Sequence, residues 1–169
     1  MRLADRAAHS ANPLFGTAAT LLRLAAGRVT VPDVLDLASS PAVRRRFGFD
    51  DDKVARLRAW VADARICWGL DGPHRARYRL AATAQGTWRD GLNRVLLGVA
   101  MEDGSGWLGD AVPLDDVDSA DLELVGRFAE FVDRVHAAVV GFADAPPPDF
   151  AKASFAELFA WSLAQPPSE

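Results

Sequence analysis

The chain has 169 residues, half of them apolar and a quarter charged, which suits one folded core and excludes both a disordered tail and a pair of enzyme domains. Its single cysteine, Cys67, excludes an internal disulfide and a cysteine-based zinc site and suits a reducing cytoplasm. The net charge of -4 hides a split: residues 1 to 101 carry 16 Lys or Arg against 9 Asp or Glu, and residues 102 to 169 carry 3 against 14. That balance argues against a self-sufficient nucleic-acid binder on charge alone.

In chain order, the first signal is Asn12-Pro13, an N-cap followed by proline at the first helical position. Leu14, Ala18, Leu21, Leu22 and Ala25 then form one stripe that ends at Gly27. Thr30 and Asp33 have the spacing of a capping box for a short helix, and Ser40-Pro41 opens another turn that Gly48 closes. Asp50 heads a stronger helix, with Phe49 and Val54 spaced as a hydrophobic staple and Val54, Leu57, Trp60 and Val61 on one face.

From Arg65 to Gly86 no helical period is visible, so this segment is expected to be an ordered loop, with at most a short strand pair near residues 77 to 82. A central helix is expected from Thr87 to Met101, on the stripe Trp88, Leu92, Val95, Leu96 and Val99, its last turn buried on several sides. Residues 102 to 117 read as loop, anchored by Trp107 and Leu108. The longest helix runs from Asp118 or Ser119 to about Phe142, with Val125, Phe128, Val132, Val135, Val139 and Phe142 alternating steps of three and four. Pro146 to Pro148 ends it, and a last helix carries Phe155, Leu158, Phe159 and Trp161. The fold class is therefore all-α, a single helical domain over residues 1–165 with a tail at 166–169.

Residues that carry chemistry are scarce. No phosphate loop is present, and Gly104-Ser105-Gly106 lies in an acidic stretch without a nearby cation. His9, His74 and His136 are dispersed and lack metal-ligand spacing; Asp115, Asp116, Asp118 and Asp121 lack the pattern of a calcium loop. Cys67, between Ile66 and Trp68, reads as a structural thiol in an apolar setting. No catalytic residue, metal or cofactor is expected. Two arginine groups remain: the run Arg44, Arg45, Arg46, and the alternating Arg75, Arg77, Arg79 beside Tyr78 and Trp68. Either group can meet phosphate, or cover apolar surface and pair with carboxylates of the acidic half.

The motifs Asn12-Pro13-Leu14, Leu57-Arg58-Ala59-Trp60-Val61, Ile66-Cys67-Trp68-Gly69-Leu70-Asp71 with His74-Arg75, and Thr87-Trp88-Arg89-Asp90-Gly91-Leu92-Asn93-Arg94-Val95-Leu96-Leu97-Gly98-Val99-Ala100-Met101 together resemble the exodeoxyribonuclease V gamma subunit, the RecC family. Order and spacing agree from about Ala11 to Met101, and more loosely to Trp161. Asp90 and Val99 depart from the family's usual apolar or aromatic residue and tyrosine. The resemblance implies an internal piece of a much longer chain, similar to the helical accessory (2B-like) subdomain of a superfamily-1 helicase-like body that has lost its ATPase motifs. It implies a DNA-binding, catalytically inactive subunit that works with beta and alpha subunits in double-strand break repair by homologous recombination. Trp68, Trp88, Leu92, Leu96 and Leu97 would then fix the 65–86 loop on the central helix. Arg75, Arg77, Arg79, Arg89 and Arg94 are the candidate DNA contacts, weak and non-specific in the chain alone. The alternative reading is a stand-alone helical protein-interaction module; an independent hydrolase would need an acid/base constellation that is not found.

Overall fold

The computed structural model describes residues 13–101, 113, 114, 117 and 119–144. Among them the chain forms seven α-helices and one 3-10 turn and no strand, so the all-α expectation holds. The helices are α1 (Pro13–Ala26), α2 (Val31–Ser39), α3 (Pro41–Phe47), α4 (Asp51–Asp63), α5 (Gly72–Ala76), α6 (Trp88–Ala100) and α7 (Leu122–Asp144), the last preceded by the 3-10 turn Ser119–Asp121. The helix expected through Phe155 to Trp161, the loop anchors Trp107 and Leu108, and the cap Asn12 lie outside the described residues.

Local chemistry accounts for most helix ends. Asp50 accepts from the Lys53 amide at 2.8 Å, satisfying one of the donors that a helix start leaves open, while Phe49 and Val54 are both buried beside it. Thr87 does the same for α6, accepting from the Asp90 amide at 3.2 Å. Thr30 departs from the expected box: its hydroxyl donates to Asp33 Oδ2 at 2.5 Å and makes no bond to a helix amide. Gly48 ends α3 in the left-handed conformation, φ 65°, with Phe49 N donating to Arg44 O at 3.0 Å.

The helix α7 is the spine against which α1, α3 and α6 pack. Its Val125, Phe128, Val132, Val135 and Val139 are buried, as their spacing requires, and Phe131 joins them by closing edge-on against Phe47 and Phe49 at centroid distances of 5.5 and 5.9 Å. Trp60 of α4 lies 6.3 Å from Phe128. These contacts join the second half of the chain to the first in one core.

Two expectations are corrected. The segment from Arg65 to Gly86 is not all loop, since α5 forms at Gly72–Ala76; beyond it the chain turns with Arg79 at φ 63°, within the bound of at most one strand pair, and the only β-type pairing among the described residues is the isolated bridge Thr30 to Trp68. The last turn of α6 is not buried on several sides: Leu96 is 39% exposed and Val99 and Leu97 are half-buried. Instead Gly91 and Gly98 carry the close packing of α6. A Cβ on Gly91 would sit 2.2 Å from Ile66 Cγ1, and one on Gly98 would sit 2.4 Å from the Leu114 carbonyl oxygen. By contrast, a Cβ on Gly126 of α7 meets nothing within 4 Å.

The two helical glycines therefore predict opposite signs. Gly98→Ala should destabilise by about 1 to 3 kcal/mol, since backbone must move, whereas Gly126→Ala should stabilise by about 0.5 to 1 kcal/mol through helix propensity. Urea denaturation of the two variants checks this; equal effects would show that α6 does not approach Leu114 so closely.

Candidate nucleic-acid interface

The segment between α4 and α6 is ordered by one side chain. Arg75 of α5 is 3% exposed, and its guanidinium donates from Nη1 to Thr83 O and Gln85 O, both at 2.8 Å, and from Nη2 to Trp68 O at 2.6 Å and Gly86 O at 3.1 Å. Its Cζ lies 4.5 Å from the Trp68 ring centroid. Four carbonyls and an aromatic face replace water around a charge that has no carboxylate partner among the described residues. Gly69, at φ 81°, permits the approach: a Cβ there would be 2.9 Å from Arg75 Nε.

This platform is fastened on three sides. Trp88 N and Arg89 N donate to Gly69 O and Leu70 O at 2.9 Å, and Trp88 Nε1 donates to Val29 O at 3.1 Å, which joins it to α6 and to the end of α1. Arg77 donates from Nη1 to Ala25 O at 3.1 Å and from Nη2 to Gly27 O, and Tyr78 Oη donates to Gly27 O at 3.1 Å. These bonds satisfy the open carbonyls at the C-terminus of α1, where cations are favoured. Asp71 caps α5 through His74 N at 2.8 Å and reaches α7 through His136 Nε2 at 3.0 Å.

Burial works to raise the Asp71 carboxyl, but the hydrogen bonds from His136 and the His74 amide outweigh it and hold the group below its ordinary range. His74 is pushed down to about 4 by burial and by the neighbouring Arg77. Its neutral Nε2, 2.7 Å from Arg77 Nη2, is the acceptor that Arg77 needs.

The five arginines expected to meet DNA divide accordingly. Arg75 points inward and supports the platform; the burial of its guanidinium on four carbonyls removes it from the surface. Arg77 is exposed but occupied by α1. Arg94 donates to Ala64 O at 2.9 Å, at the end of α4. Arg89 lies 3.7 Å from Asp133 with both side chains about half exposed, a contact too weak to hold it. Arg79 is exposed and has no side-chain partner among the described residues. The run at 44 to 46 also divides: Arg44 bonds Phe49 O at 2.9 Å and Asp51 at 2.7 Å, Arg46 lies 3.7 Å from Glu130, and Arg45 is exposed.

Two further cations border the platform. Arg28 lies over Trp68 and Tyr78 at 5.5 and 5.3 Å from their centroids, and Arg65 is exposed at the end of α4. From Ala64 to Thr87 the exposed charged residues are all arginines: Arg65, Arg77 and Arg79. Arg28 escapes a motif reading because only the fold brings the end of α1 to the loop. Cys67 is exposed, not buried in an apolar setting; its neighbour Ile66 takes the core position instead. No cluster of three metal-ligating side chains exists among the described residues.

The domain is a helical scaffold with Arg28, Arg65, Arg77, Arg79 and Arg89 exposed on and beside the segment that Arg75 orders. Comparison with known proteins identifies its family. The family model of the RecBCD enzyme subunit RecC fourth domain matches residues 11–162. The chain is 49% identical over 148 residues to the RecBCD enzyme subunit RecC of Mycobacterium tuberculosis, covering 87% of this chain and 14% of that protein. It is 51% identical over 140 residues to that of Mycolicibacterium smegmatis, 82% of this chain and 13% of the relative, and 36% identical over 130 residues to that of Escherichia coli, 77% and 12%. The chain belongs to the RecC family and spans about one seventh of the relatives it matches.

Proposed function

We propose that this chain serves as a DNA-positioning scaffold within a gamma subunit of RecBCD type, acting in double-strand break repair while partner beta and alpha subunits supply catalysis. The observation that carries the reading is the 49% identity across 87% of the chain to a protein named as a RecBCD enzyme subunit. Its helical make-up accords with a 2B-like accessory subdomain of a helicase-like body, extending as one domain to about residue 165. Among the described residues no helix is long and apolar enough to cross a membrane, which accords with work in the cytoplasm. No cofactor is required for this role: the domain holds strands by charge and shape.

Of the five arginines, Arg79 and Arg89 carry the DNA contact in this reading, and Arg77 and Arg94 hold the surface that presents them. Few phosphates are reached by one domain, so the isolated chain should bind a fluorescent fork DNA with micromolar or weaker affinity at low salt, on the non-specific scale. Affinity should fall steeply with added salt, and Arg79→Ala with Arg89→Ala should weaken it further. Binding indifferent to salt and to both substitutions, or ATP hydrolysis by the rigorously purified chain, would overturn the reading.

A further inference from the structure

Three helices of this domain end on a residue in the left-handed conformation, and only one of the three is the glycine that such a position favours. At the end of α3, Phe49 N donates to Arg44 O at 3.0 Å, and the left-handed position between helix and exit is Gly48 at φ 65°. At the end of α4, Ile66 N donates to Val61 O at 3.1 Å and Arg65 N to Ala62 O at 2.9 Å, and the left-handed position is Arg65 at φ 55°. At the end of α5, Leu80 N donates to Arg75 O at 3.2 Å and Arg79 N to Ala76 O at 2.8 Å, and the left-handed position is Arg79 at φ 63°. The turns after α4 and α5 are Schellman turns, whose left-handed position is normally glycine because a Cβ there crowds the following carbonyl.

Both arginines thus occupy positions where glycine is the relaxed choice, and neither guanidinium has a hydrogen bond or ion pair among the described residues. The contacts within the domain give no return for the strain. Positions of this kind are held by the surrounding structure and cluster at functional sites. We propose that Arg65 and Arg79 are a pair of phosphate-binding residues for a DNA strand, held out from the two helix ends that flank the Arg75 platform. This rests on the DNA-positioning reading above and adds Arg65 to it. Phosphate is favoured over a protein carboxylate because every exposed charge from Ala64 to Thr87 is an arginine and Arg28 adds a further cation over Trp68 and Tyr78, the pattern of a polyanion track.

The decisive variant is the double substitution Arg65→Gly, Arg79→Gly in the full-length subunit assembled with its partners. Glycine removes the charge and relaxes the turn together, so stability and binding should move in opposite directions. Fluorescent fork DNA should bind about tenfold more weakly, with the slope of log affinity against log salt reduced by about two, one for each lost phosphate contact. The melting temperature should be unchanged or higher, and the subunits should co-purify as before. A lowered melting temperature would make both residues structural, and loss of co-purification would assign them to a protein carboxylate; either result overturns the proposal. Photo-crosslinking of the parent complex separates the two levels of the argument. Unchanged binding with fork DNA still crosslinked to residues 65–86 would sink the arginine pair alone, whereas no crosslink to this domain would sink the DNA-positioning reading itself.

Discussion

Arg75→Met should destabilise the domain by about 3 to 5 kcal/mol, the largest loss expected from any single arginine, because it withdraws four donors from the carbonyls of Trp68, Thr83, Gln85 and Gly86 at once. Methionine fills much of the same volume, so the loss reports the hydrogen bonds and not a cavity. Arg75→Lys keeps the charge but replaces a planar fork by a compact ammonium that cannot span two pairs of carbonyls, and should recover less than half of the loss. Denaturant unfolding followed by far-ultraviolet circular dichroism gives the total. A change of less than about 1 kcal/mol in Arg75→Met would mean that the loop orders itself without the guanidinium.

Trp88→Ala should cost about 3 to 5 kcal/mol, as for other large aromatic truncations in packed cores. Trp88 is 1% exposed at the start of α6, and its indole also holds Val29 O at 3.1 Å. Val29 is a β-branched residue at φ 55°, an unfavourable conformation that its surroundings must enforce. Trp88→Phe keeps most of the apolar burial and loses that bond, so its smaller cost, about 1 to 2 kcal/mol, isolates the polar part. Thermal unfolding of Trp88→Ala within a degree or two of the parent would remove Trp88 from the core.

What sequence reasoning could reach in this domain follows a physical line. Helix starts were legible because their chemistry is local: Asp50 and Thr87 each satisfy an amide three residues on, and the pattern of the intervening residues announces it. The buried face of α7 was legible because Val125 to Val139 repeat with the period of a helix. The interior of α6 was misread for the opposite reason. Its closest contacts are made by Gly91 and Gly98, which add no hydrophobicity to a stripe, while Leu96, apolar and on period, stays partly in solvent.

The site was harder still. Arg75, Arg77 and Arg79 alternate along the chain as if they lined one basic strand, yet the short helix α5 sends Arg75 inward, Arg77 to the end of α1 and Arg79 to solvent. No local pattern distinguishes a buried arginine from an exposed one, because the four carbonyls that receive Arg75 exist only once the loop has closed. Arg65 carries no local signal either: α4 ends without a glycine, but so do the helices Val31–Ser39 and Trp88–Ala100, which exit through extended residues. His136 and Asp71, 65 residues apart, meet only through the packing of α7.

In the proposed function, the segment from Arg65 to Gly86 is a platform ordered on Arg75 that faces DNA in the assembled enzyme. Amide hydrogen exchange of the full-length subunit complex, with and without a forked duplex, tests it directly. Slow exchange is expected at the amides of Trp68, Gly69, Arg75, Leu80, Thr83 and Trp88 before DNA is added, and further protection over residues 65–86 once it is bound. Rapid exchange across the segment in the free complex, or protection that falls on α3 and α7 and leaves residues 65–86 unchanged, would contradict it.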